Sequence, residues 1–199
     1  MLETVIAELE TNGLLLKTDA KLPNVCALVA GEPVRGSWWS HTMSHQMFHV
    51  LTEVASHRDV LTAKLISSKD TFVHRSLWPA FLAVAMSRER WQFAALDAKA
   101  RALLKRVDEQ GKTEASGGAA VALEKALLVH GEQMHTSEGS HAKVLTSWGK
   151  WMESAAVQSP ELTAAQGRES IEKAVSFLNR RHDGRGRLPW PAARTLTTP

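Results

Sequence analysis

The chain has 199 residues, 44% apolar and 23% charged, which fits a folded protein with one sizeable core or two small ones and excludes wholesale disorder. Its formal net charge of +3 is uneven: Arg180, Arg181, Arg185, Arg187 and Arg194 stand against Asp183 alone in residues 178–199, leaving about −1 on the rest. That balance excludes a surface that grips phosphate throughout, and confines any nucleic-acid contact to local patches and the Arg-rich tail.

The opening MLETVIAELE is acidic and lacks the basic start and apolar run of a secretory signal. The longest apolar run, Leu77 to Met86, is about half a membrane span and contains Pro79. The single cysteine, Cys26, cannot form an internal disulfide, so the expected home is a reducing cytoplasm.

In chain order, Leu2, Val5, Ile6 and Leu9 form a helical stripe that Asn12-Gly13 ends. Leu14 to Leu16 reads as a short buried extended piece, and residues 23–30 as a short helix stopped by Gly31-Glu32-Pro33. A helix from Ser40 or Thr42 to Ser56 carries Met43, Met47, Val50, Leu51 and Val54 on one side. Residues 60–66 and 71–74 read as a hairpin around the turn 67–70, and Trp78-Pro79 opens a helix reaching about Met86. Residues 87–96 are a connector. Asp97 then caps a helix with Ala100, Leu103, Leu104 and Val107 inward and Gly111 as its stop. A polar Gly-rich turn over residues 112–118 leads to a helix bearing Val121, Leu123, Leu127 and Leu128. Residues 129–135 read as extended and 136–140 as a turn. Residues 141–152 are ambiguous, with Val144, Leu145, Trp148 and Met152 at helical spacing. Ser159-Pro160 signals the last helix, to about Asn179, before a Gly- and Pro-rich tail in which Trp190 is expected to dock back on the body.

This order predicts an α+β protein, mostly helical, with two tandem winged-helix-like units and small β-hairpins. The units are residues 1–86, with the N-terminal helix, and residues 87–158; residues 159–199 form a C-terminal helix and basic tail.

Two histidine clusters invite chemistry. His41, His45 and His49 lie at i, i+4, i+8, a spacing at which adjacent pairs can share a metal, with zinc the natural candidate. First and last are about 12 Å apart along a helix, and Gln46 stands where a metalloprotease has its base. Histidines packed on Trp38 and Trp39 explain the same pattern. The second cluster, around His130 and Glu132, offers His135, Glu138 and His141 as metal ligands or as a base with its orienting partner; a solvated wing explains it more simply. Nucleophilic catalysis has little support, since Cys26 has no basic neighbour nearer in sequence than Lys21.

For nucleic acid, Lys64, Lys69 and Arg75 cluster on the first hairpin, Lys143 sits near the second, and Arg180, Arg181, Arg185 and Arg187 supply the tail. The candidate reading helix, residues 119–129, offers only Glu124 and Lys125 as long polar side chains, a poor set for base readout.

The blocks GSWWSH, KLISSKDTFVHRSLWPA and LLVHGEQMHTSEGSHAKVLTSW, within residues 31–151, resemble a family of uncharacterised bacterial proteins. In element order the chain also resembles the winged-helix DNA glycosylases that excise alkylated or crosslinked bases. Those enzymes are associated with a Gln-x-Gln or Gln-x-Asp motif. Gln46-Met47-Phe48 and Gln133-Met134-His135 do not match it, so the resemblance implies DNA binding rather than excision. The expected function is therefore DNA binding, in repair or regulation. The alternatives are a DNA-repair or metal-dependent hydrolase using the histidine clusters, and a protein-interaction module that forms a homodimer.

Overall fold

A computed structural model describes residues 1–135 and 141–191. The protein is α+β and mostly helical, with two small three-stranded antiparallel sheets.

The first unit begins with α1, Leu2–Asn12, which buries Val5 and Leu9 and ends at Gly13. At φ 71° that glycine donates its N–H to the Leu9 carbonyl, and the left-handed turn feeds β1, Leu14–Leu16. The helix α2, Val25–Ala30, is capped by Asn24, whose side chain accepts the Ala27 N–H. Next come α3, Ser44–Ala55, and the hairpin of β2, Val60–Ala63, with β3, Thr71–His74. β3 lies between β1 and β2. Both faces of this sheet are covered, which explains the unbroken Leu14-Leu15-Leu16 run. Leu14, Leu16, Leu61 and Val73 point to a central core, while Leu15, Val60 and Phe72 pack with α1, α2 and α3.

Helix α4, Trp78–Ala85, holds Pro79 in its first turn, and every residue from Ala80 to Ala85 is buried. The expected connector contains a helix of its own, α5, Arg90–Ala94, because Glu89 and Gln92 form a reciprocal capping box. Gln92 is buried, and its amide donates to the carbonyls of Ala85 and Ala126, joining α4 to the second unit.

The second unit repeats the opening of the first. Helix α6, Ala98–Gln110, capped by Asp97, buries the expected face and ends at Gly111, φ 73°, whose N–H donates to Val107. β4, Lys112–Ala115, replaces the expected polar turn: as an edge strand it pairs only with β6, so its side chains stay exposed or half-buried. Then follow α7, Gly117–Lys125, β5, His130–His135, and β6, His141–Thr146, with β6 central. Residues 141–152 divide into β6 and α8, Trp148–Ala155. Val144, Leu145 and Thr146 are all buried because β6 is covered on both faces, and that run imitates a helical face in sequence.

The last helix, α9, is Ala164–Arg181; it starts at Thr163, which forms a capping box with Gln166, rather than at Ser159-Pro160. Its inner face packs along α4, and that pair shares one core with Leu127, Trp148, Met152 and the tail residue Trp190. Each sheet is followed by a helix opening on a buried tryptophan: Trp78 donates its indole N–H to Val73, and Trp148 to Leu127. Among the described residues, no helix is long and apolar enough to cross a membrane.

Candidate functional site

The hairpin between β2 and β3 turns through Ser67 and Ser68, at φ 52° and 58°, with the Lys69 N–H donating to the Ile66 carbonyl. Two consecutive L-residues in the left-handed region cost about 1–2 kcal/mol each, so the turn needs outside support. The tail supplies it. Ser67 donates its N–H to the Arg187 carbonyl at 2.7 Å, and the Arg187 N–H donates to the Ser67 hydroxyl at 3.2 Å. The Asn179 side chain brackets the Gly186 peptide with two hydrogen bonds, at 2.9 and 2.7 Å. A Cβ at Gly184 would lie 2.3 Å from Leu22, and one at Gly186 2.8 Å from Ile66, so this close approach requires glycine. Trp190 is buried as expected, donating to the Glu172 carboxylate at 2.8 Å.

Where tail and turn meet, two adjoining hollows of about 510 and 390 Å³ share Ser67 and Arg185. Ser68, Arg187, Leu188 and Pro189 complete one; Asp19, Lys21, Lys69 and Gly186 help line the other. Lys69 is paired with Asp19 at 2.7 Å and Lys21 with Asp183. Burial works to raise the Asp19 pKa, but the Lys69 hydrogen bond and the N–H groups of Lys21 and Leu22 outweigh it and hold the carboxyl below its usual range. Arg185 and Arg187 are exposed, and among the described residues neither has a carboxylate within 4.0 Å. The hollow is thus an anion-attracting surface with two uncommitted guanidinium groups.

The other predicted cations lie elsewhere. Lys64 pairs with Asp70 at 2.6 Å, and Arg75 with Asp59 at 2.9 Å. Lys143 pairs with buried Glu124, which fills the space beside Gly131, where a Cβ would lie 2.3 Å from the carboxylate. Arg180 is exposed on α9, and Arg181 lies over the Phe177 ring at 5.8 Å. Of the eight predicted contacts, Lys69, Arg185 and Arg187 therefore converge on the hollow. Lys21 joins them without a motif to announce it.

The histidine ladder is interrupted. His41 lies before α3, where its Nδ1 accepts the Met43 N–H at 3.2 Å, so His41 and His45 are not a helical pair. His45 and His49 are exposed on α3. His135 and His141 stand opposite each other in the β5–β6 register, and Glu138 lies outside the described residues. Among the described residues, no group of three or more His, Cys, Asp or Glu is placed to hold a metal ion. Burial, against the opposing pull of Lys17, pushes the Cys26 thiol up to about 11, which leaves it protonated and inert at neutral pH.

His130, from the second histidine cluster, is buried. It is 6% exposed, 5.8 Å from the Trp148 ring and 5.9 Å from Trp151, and its Nδ1 has no hydrogen-bond partner. Desolvation lowers its pKa below 6.5, against the opposing pull of Glu132. With the folded pKa depressed, the unfolded chain takes up the proton first, so this contribution to stability is present above about pH 6.5 and is lost on acidification. Comparing thermal melts from pH 8 to 5, His130→Leu is expected to show a shallower loss of Tm than the wild type.

No known family model matches this chain, and no significant match was found among curated proteins or among solved structures.

Proposed function

We propose that the protein binds DNA through two winged-helix-like units, with the phosphate backbone held in the hollow between the first hairpin and the tail. The observation that carries this reading is the convergence of Lys21, Lys69, Arg185 and Arg187, of which two are paired, with Asp183 and Asp19, on a chain otherwise near neutral. The Lys69–Asp19 and Lys21–Asp183 pairs do not block it. Both lysines are about half exposed, and a phosphate can replace the carboxylate partner of each.

Element order supports the winged-helix part of the reading. Helix, strand, helices and hairpin follow one another in the first unit, with the last strand central; the second repeats this with one helix fewer. The turn at Ser67-Ser68 is then the wing of the first unit, and the tail arginines extend its reach along a strand.

Charge reversal is the appropriate test, because truncating the tail would also pull Trp190 from the core. Each phosphate contact contributes about −0.9 to the slope of log K against log salt on duplex DNA. The Arg185→Glu/Arg187→Glu variant should bind a labelled duplex at least tenfold more weakly, with a slope shallower by about 1.8. Unchanged affinity and slope in a variant of wild-type Tm would overturn the assignment of the hollow.

A further inference from the structure

Trp38 and Trp39 precede α3 in a 3-10 turn, residues Trp38–Ser40, and their rings stack at 4.0 Å with planes 27° apart. Trp38 is buried at 9% exposure, whereas Trp39 is 61% exposed and flanked by Phe48, itself 38% exposed, at 5.7 Å. One face of the Trp39 ring is fixed on a rigid support. The stack is tied to the cationic hollow by short steps: the Lys17 ammonium lies 5.3 Å from the Trp38 ring and 4.0 Å from Asp70, which adjoins Lys69 in sequence. Lys17 and Asp70 therefore link the support of the aromatic platform to the turn that borders the hollow.

We infer that Trp39 is a stacking platform for a base of an unpaired strand whose backbone runs into the hollow. The inference rests on the DNA-binding reading above and narrows it to substrates with single-stranded or extruded bases. Size favours a base over a protein partner. The exposed parts of Trp39 and Phe48 amount to roughly 200 Å², against about 800 Å² that a stable protein interface needs from each side. Every base presents a π-face about as wide as the indole ring, and exposed His45, Gln46 and His49 on α3 leave the rim polar. Trp39 adds no sequence code, since stacking tolerates every base.

The test compares wild type, Trp39→Ala, Trp39→Phe and the Arg185→Glu/Arg187→Glu variant, all with full-length protein. Each is titrated against fluorescein-labelled oligothymidine and against a fully paired hairpin duplex, across a salt series. Trp39→Ala should weaken oligothymidine binding by about 5- to 150-fold, with duplex affinity and the salt slope unchanged. Trp39→Phe should recover part of the loss, which a merely structural role would not predict. Equal oligothymidine affinity for wild type and Trp39→Ala would overturn the platform while leaving the hollow in place. A wild type that binds neither probe at about 50 mM salt would overturn the DNA reading and this inference together. Sedimentation showing a wild-type dimer that Trp39→Ala converts to monomer would also overturn it, assigning the platform to self-association.

Discussion

Trp148→Ala is expected to cost the fold about 4 kcal/mol. Trp148 opens α8 at 4% exposure and meets Phe81 of α4 edge-to-face at 5.2 Å. Its indole N–H donates to the Leu127 carbonyl at 2.8 Å, and Leu127 itself holds an unfavourable φ of 55°. Truncation therefore removes a large buried ring and strands a buried acceptor at Leu127. For a chain of this length that corresponds to a fall in Tm of roughly 8–16 °C. Urea unfolding followed by circular dichroism checks it; a midpoint within error of wild type would mean the central core is not organised around α4 and α8.

The second large effect comes from adding one methyl group. Gly167 lies inside α9, where an added Cβ would sit 2.4 Å from the Ala80 carbonyl oxygen, 3.1 Å from Val84 and 3.2 Å from Ala83. A backbone carbonyl in the first turn of a helix cannot swing aside without distorting it, so α9 would have to lift from α4. Alanine gains about 1 kcal/mol in helix propensity over glycine, and overpacking at a backbone contact costs more than that. The expected net loss for Gly167→Ala is about 2 kcal/mol. Gly118→Ala supplies the control, since its Cβ meets nothing within 4 Å and the same substitution should be neutral or stabilising. Equal melts for the two variants would contradict the close α4–α9 crossing.

Much of the fold was legible because local signals and burial agree. Gly13 and Gly111 stop helices where left-handed backbone is needed, Asp97 caps, and the hairpin at residues 60–74 sets two apolar, β-capable runs around a polar turn. The second sheet was harder to read. β4 is Lys-Thr-Glu-Ala, polar because it is an edge strand, and only its hydrogen bonds to β6 reveal it. β6, buried on both faces, carried an apolar run that also fits a helix. The candidate site was legible as charge but not as geometry. Sequence placed Lys64, Lys69, Arg75 and Lys143 among the phosphate contacts, whereas the fold pairs Lys64 with Asp70 and Arg75 with Asp59 across the same hairpin, and Lys143 with buried Glu124 on α7. Lys21 and the left-handed serines of the turn entered the site only through long-range packing of the tail against residues 19–22 and 66–69.

The most direct test is the affinity of the wild-type protein for labelled DNA as a function of salt. Two uncommitted arginines, with Lys21 and Lys69 exchanging their carboxylate partners for phosphate, predict a linear fall of log K with log salt and a slope of roughly −2 to −4. No binding at about 50 mM salt, or an affinity indifferent to salt, would contradict the account at its centre.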